Sequence, residues 1–126
     1  MTWRNKPSNF SLSLLSEADA LTKKITGEML QQVVIATPVD TGQARGNWRV
    51  NIGAIDYSTD NDSLDKSGNG SISMGIRTIQ SGGGLGKIAH ISNSLSYISR
   101  LNDGWSMQAP KNFMQIAFMN VVNKYK

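Results

Sequence analysis

Few residues of this 126-residue chain have the types needed for chemistry, and their spacing decides how far each one goes. His90 is the only histidine, and there is no cysteine. An imidazole acting as a general base needs a nucleophile and an orienting carboxylate within reach. Asp40 and Asp103 are the raw material for a hydrolase of that kind, but no spacing ties either of them to His90. With no second histidine or thiolate to share a metal, His90 reads as a surface or interface residue of a strand. Asp60-Asn61-Asp62 has the opening look of a calcium loop but lacks the spaced ligands, central glycine and closing glutamate of an EF-hand. The run Ser81-Gly82-Gly83-Gly84-Leu85-Gly86-Lys87 invites comparison with a phosphate loop. That pattern requires glycine where Ser81 stands and Ser or Thr where Ile88 stands, so the magnesium-binding hydroxyl is missing and the run reads as a flexible connector. These residues point to no catalytic site, no cofactor and no metal.

The stretch around which the chain is organised is structural. In Thr37-Pro38-Val39-Asp40-Thr41-Gly42-Gln43-Ala44-Arg45-Gly46-Asn47-Trp48, Pro38 lacks a donor and disfavours helical backbone at Thr37, so a helix arriving from the N-terminal side ends there. Asp40 is placed to cap a short helical turn by accepting from the N–H of Gly42 or Gln43. Gly42 and Gly46 loosen the backbone on either side of Arg45 for a tight reversal into a strand at Trp48, with Arg45 expected to pair with Asp40 or with a neighbouring subunit.

The elements on either side follow from periodicity. Residues 1–15 mix Trp3, Phe10, Leu12, Leu14 and Leu15 with Ser and Asn, an N-terminal arm with apolar anchors. Ser16 is a cap for a helix of about 20 residues in which Ala18, Leu21, Ile25, Met29, Val33 and Ala36 recur on one face; Gly27 costs it ~1 kcal/mol relative to alanine unless a close contact uses the gap. Asn47 to Ala54 alternates as a strand with one wet face, and 56–70 is a flexible polar loop. Ile72, Ile76 and Ile79 indicate a short helix within 71–81, followed by the flexible loop 81–87 and a strand over 88–92. Leu95, Ile98 and Leu101 share one side of a short helix that Gly104 stops. Pro110 suits the first turn of a final helix running to about Lys124, whose apolar residues occupy more than one face, so that the helix is either central or meets another subunit. The expected class is α+β: a long N-terminal helix and a C-terminal helix packed on a small, mainly antiparallel β-sheet, with long loops, in a single domain spanning 1–126.

Composition bounds the rest. A chain of this length buries roughly two-thirds of its unfolded surface and needs no staples. Absence of cysteine suits a reducing cytoplasm. No signal peptide and no membrane-spanning run is visible. The formal net charge of +4 leaves an excess gathered at the ends, at Arg4, Lys6, Lys111, Lys124 and Lys126. With Trp3 and Trp48, that excess keeps open an alternative reading as a small basic nucleic-acid-binding module, although the linear scatter of charge argues against it.

Three strings then come together: TPVDTGQARGNW, the run from Ile91 to Gly104 (ISNSLSYISRLNDG), and Ser106-Met107-Gln108-Ala109-Pro110. In this order and at this spacing they resemble the tail-component family of tailed bacteriophages, over about residues 17–122. The resemblance implies a structural virion protein, a ring in the neck that completes the tail or joins it to the head. It also implies a homo-oligomer, with a hexamer favoured and a dodecamer as the portal-side alternative. Neighbouring neck, connector or tail-tube proteins would be its partners, and genomic DNA would pass through the channel without sequence specificity. Such a protein is made in the host bacterial cytoplasm and ends in the virion. In that setting Asp40, Thr41, Gly42, Arg45 and Trp48 shape the junction. Tyr97, Arg100, Gly104 and Trp105 are the expected subunit contacts, since Tyr, Trp and Arg dominate interface hot spots. The 57–70 loop is expected to order on assembly.

Overall fold

A computed structural model of the chain describes residues 2–6, 9–15, 19–39, 42–82, 87–105 and 112–125. Helix α1 runs from Asp19 to Ala36 and stops ahead of Pro38. Thr37 closes it, its N–H donating to Val33 O at 3.1 Å and its hydroxyl to the same carbonyl at 2.6 Å. Ser16, expected as the N-cap, lies outside the described residues. The buried face of α1 is Thr26, Met29, Leu30, Val33 and Val34, whereas Leu21 is 53% exposed. The face is therefore rotated from the expected one and wider, because α1 packs against two other helices at once.

Four strands form one sheet: β1 (Thr2–Lys6), β2 (Asn9–Leu15), β3 (Trp48–Ile52) and β4 (Ile88–Asn93). Their order is β1-β2-β4-β3, and every neighbouring pair is antiparallel, with Ile91 of β4 opposite Leu12 on one side and Val50 on the other. The chain is thus mixed helix and strand, and the stretch expected as a docking arm supplies two of the strands. Because β4 is central, it is covered on both faces, with Ala89 through Asn93 buried. His90 is therefore buried, which corrects its reading as a surface residue. The wet face expected on β3 is also corrected. Arg49 and Asn51 are half-buried, because the chain after β3 folds back beneath that face, where the Ser92 hydroxyl donates to Asp56 O at 2.8 Å.

After the irregular 56–68 stretch, α2 (Asn69–Gly82) packs on both α1 and β3. Gly75 is the contact point: a Cβ there would lie 2.2 Å from Leu30 Cδ2 and 2.9 Å from Val50 Cγ2. Residues 83–86 of the second expected loop lie outside the described set. The short helix α3 (Ile98–Arg100) passes into a π-type turn, Leu101–Trp105, so Gly104 lies inside that turn and does not end a helix. The last helix, α4, spans Phe113–Lys124. Pro110 falls outside the described residues, and the helix is entered through Asn112 in a left-handed conformation, φ 63°. Its first turn is capped from a distance, by Asn102 Oδ1 accepting the Met114 N–H at 3.1 Å. Phe113, Met114, Ala117, Phe118 and Val121 enter the core beside α1, Trp48, Ile91 and Ile98; Ile116 and Met119 stay exposed.

Candidate functional site

The motif stretch between α1 and β3 is a clamp made of side chains bonded to distant backbone. Arg45 opens a 3-10 turn, Arg45–Asn47, and its guanidinium reaches back to the end of α1. Nε donates to Thr37 O at 2.8 Å and one terminal nitrogen to Ile35 O at 2.8 Å. The other terminal nitrogen donates to Lys66 O at 2.7 Å. A fixed cation at the carbonyl end of a helix satisfies orphan acceptors and complements the helix dipole. The same side chain holds the long loop. Arg45 is therefore not kept for a neighbouring subunit; Asp40 and Thr41 lie outside the described residues.

Asn47, fully buried, does the complementary job. Its amide donates to Gln43 O and to Asp60 O, each at 2.8 Å, and accepts the Asp60 N–H at 2.7 Å. Ser63 donates its hydroxyl to Gly46 O at 2.9 Å, and Ser71 donates its own to Arg45 O at 2.7 Å. The Asp65 N–H bonds to Gly42 O, while its carboxylate accepts the Ser71 N–H at 2.9 Å at the start of α2. Two glycines permit this closeness. At Gly46 a Cβ would fall 2.1 Å from Ser63 O, and Gly42 has φ 86° with Lys66 N 2.7 Å from its missing Cβ. The loop expected to order only on assembly is already tied to the motif within one chain.

The other sequence-predicted residues divide. Trp48 is a core residue, 2% exposed, with its indole N–H on the Thr37 hydroxyl at 2.9 Å. Tyr97 is half-buried and donates its hydroxyl to Gln43 Oε1 at 2.7 Å, joining the second motif string to the first. Asn93 makes the same connection deeper, donating to Ala44 O at 2.9 Å while accepting the Leu95 N–H. Arg100 is exposed at the end of α3, and Gly104 and Trp105 are described through their backbone, in the turn 101–105. Gly42, Arg45, Trp48 and Tyr97 are thus brought into one cluster. Sequence reasoning missed Asn47, Asn93, Ser63, Asp65 and Ser71. The available signal was asparagine itself, recurring inside both motif strings, where its amide can bond nearby backbone.

Beside the clamp, an open groove of about 710 Å³ lies between β3, α2 and the 56–65 loop, lined among others by Trp48, Arg49, Val50, Asp56, Asp60 and Met74. Asp56 is held below the usual carboxylate range, first by its hydrogen bonds from the Ser58 hydroxyl and N–H and then by the charge of Arg49. Asp60 uses its carboxylate to accept the Asp62 N–H at 2.9 Å, so Asp60-Asn61-Asp62 is a local turn. No group of three or more His, Asp or Glu among the described residues is arranged to hold a metal ion. On the far side, Glu28 of α1 accepts from the Tyr125 hydroxyl at 2.8 Å and from Lys124 Nζ at 3.2 Å. The Tyr125 bond holds the Glu28 carboxyl below its ordinary range. As for the hydrolytic pairing, His90 is buried in β4 and Asp103 is exposed. No helix among the described residues is long and apolar enough to cross a membrane. No family model, curated protein or solved structure matches the chain.

Proposed function

We propose that this chain is a structural protein of a tailed-phage virion, a ring-forming subunit of the neck that completes the tail or joins it to the head. The observation that supports it best is what the motif residues do. Arg45, Asn47 and Asn93 each direct their side chains at the chain's own backbone, as a rigid building block requires and a reacting group does not. In this reading α1 and α4 packed on the antiparallel sheet form the body of the subunit. Exposed Ile35, Ile116 and Met119, together with Arg100, Gly104 and Trp105, belong to contacts with neighbours. Subunits meet head to tail through heterologous contacts that close, most simply as a hexamer, and genomic DNA passes through the centre without base-specific contacts.

The test is the mass in solution across a concentration range by light scattering, with negative-stain imaging of any large species. A closed ring is expected, and its subunit count separates the tail-tube side from the portal side. A monomer at every concentration that binds DNA with strong salt dependence would overturn the reading in favour of a basic nucleic-acid-binding module.

A further inference from the structure

The sheet order β1-β2-β4-β3 leaves two edges, β1 and β3. Trp48, Arg49 and Val50 all line the 710 Å³ groove, although consecutive strand residues point to opposite faces of a sheet. Only the outer edge of β3 presents all three to one space, so the groove runs along that edge. The ladder agrees. Gly53 donates its N–H to Ile88 O at 2.9 Å, which turns residues 49, 51 and 53 towards β4 and leaves the N–H and C=O of Trp48, Val50 and Ile52 facing out. The outward Trp48 carbonyl accepts from the Arg49 guanidinium at 3.3 Å. No bond among the described residues occupies the outward groups of Val50 and Ile52.

We propose that this groove receives strand β1 of a second copy of the chain, extending the sheet from subunit to subunit. The inference rests on the ring reading and specifies its interface. Length fits: β1 and β3 are each 5 residues, about 17 Å of extended chain. Direction fits as well. The four strands alternate, so a copy set beyond β3 in the same orientation brings its β1 antiparallel to β3 without inversion, the repeat that a rotation axis along the strands closes into a ring. Charge is complementary: Thr2-Trp3-Arg4-Asn5-Lys6 carries two basic residues and no acid, and the groove carries Asp56, Asp60 and Asp65 against Arg49. Main-chain bonds to an open edge supply affinity, and the flanking charges select the partner strand.

The chain has no cysteine, which makes the test direct. In β1 the N–H and C=O of Trp3 and Asn5 turn away from β2, so one of these two sits opposite Val50. With Trp3 there, Arg4 of one copy faces Arg49 of the next; with Asn5 there, Arg4 faces Asn51. Within one chain β1 and β3 are three strand spacings apart, about 14 Å, beyond the roughly 7 Å that a disulfide spans between Cα atoms. Oxidised Arg4→Cys/Arg49→Cys or Arg4→Cys/Asn51→Cys protein, according to the register formed, is expected to run as a covalent ladder extending past the dimer, whereas no single variant can exceed a dimer. Rings seen by light scattering with no ladder from either pair would overturn the proposal, leave the ring reading standing and assign the groove to another partner. Absence of both rings and ladder would overturn both. In wild-type protein, without any variant, the Val50 and Ile52 amides should exchange with solvent roughly tenfold or more slowly in the ring than in the monomer; equal rates overturn the proposal.

Discussion

Replacing Asn47 by alanine removes the tie between the motif and the long loop while leaving the core apolar residues in place. The side chain is fully buried and makes three hydrogen bonds, at 2.8, 2.8 and 2.7 Å. At about 1 kcal/mol net per bond the loss is roughly 3 kcal/mol. Asp60 is exposed, so its freed N–H and C=O can take water, which brings the expected loss to about 2–3 kcal/mol. At a chain length of this order that lowers Tm by roughly 8–12 °C. Chemical denaturation gives the energy, and hydrogen exchange at Asp60 and Ser63 should rise in the same variant, because the loop opens before the core does. Asn47→Asp sharpens the test. It replaces the amide nitrogen, which donates twice, with one oxygen facing both the Gln43 and Asp60 carbonyls, so at neutral pH it should cost more than alanine. The new carboxyl favours its protonated form in the folded state, and stability of that variant should therefore fall as pH rises from the ordinary carboxylate range; the alanine variant should not share this dependence. A loss below about 0.5 kcal/mol with unchanged loop exchange would refute the clamp, since it falls short of even one net bond.

Further outcomes follow from the same geometry. Arg45→Met keeps the aliphatic stem but abandons three backbone carbonyls, and should cost about 2 kcal/mol in urea unfolding, with faster exchange at the last turn of α1. Glycine-to-alanine changes should have opposite signs in two helices. Gly27→Ala finds its nearest neighbour, Ile76, at 4.0 Å and should stabilise by roughly 0.5–1 kcal/mol. Gly75→Ala drives a Cβ to 2.2 Å from Leu30 and should destabilise by roughly 1–3 kcal/mol. Glu28 is depressed in the folded chain chiefly by its bond from Tyr125. Its contribution is therefore complete above the unfolded glutamate value of about 4.3 and is lost as pH falls through the lower folded value. Tyr125→Phe should shrink that acid-side loss of stability, read as a flatter Tm against pH curve below about pH 4.5.

What could be read in advance was local. Pro38 marks the end of α1 because its ring acts on the residue next to it, and α4 runs to Lys124 as expected. His90 shows the limit. Alternation within 88–92 is compatible with an edge or a central strand, and only pairing with both β2 and β3 buries it. The α1 face was misplaced for a related reason: its periodicity is real, but the choice between Leu21 and Leu30 depends on which helices lie alongside. Within the motif, Trp48 and Arg45 were singled out and their partners were not. Arg45 acts on carbonyls up to 21 residues away, and a backbone acceptor leaves no trace in residue type. The asparagines were overlooked for the same reason.

The clamp is built almost wholly from groups that do not change charge. Asparagine amides and serine hydroxyls do not titrate in water, and a guanidinium stays protonated across the accessible range. Asp65 apart, the junction of α1, the loop and β3 keeps the same hydrogen-bond donors and acceptors from mildly acidic to mildly alkaline solution. Acidity acts elsewhere, at the Glu28 link between α1 and α4, where the first and last helices meet. A shift in pH can thus loosen the seam between the first and last helices while the neutral bonds of Asn47 and Asn93 stay in place.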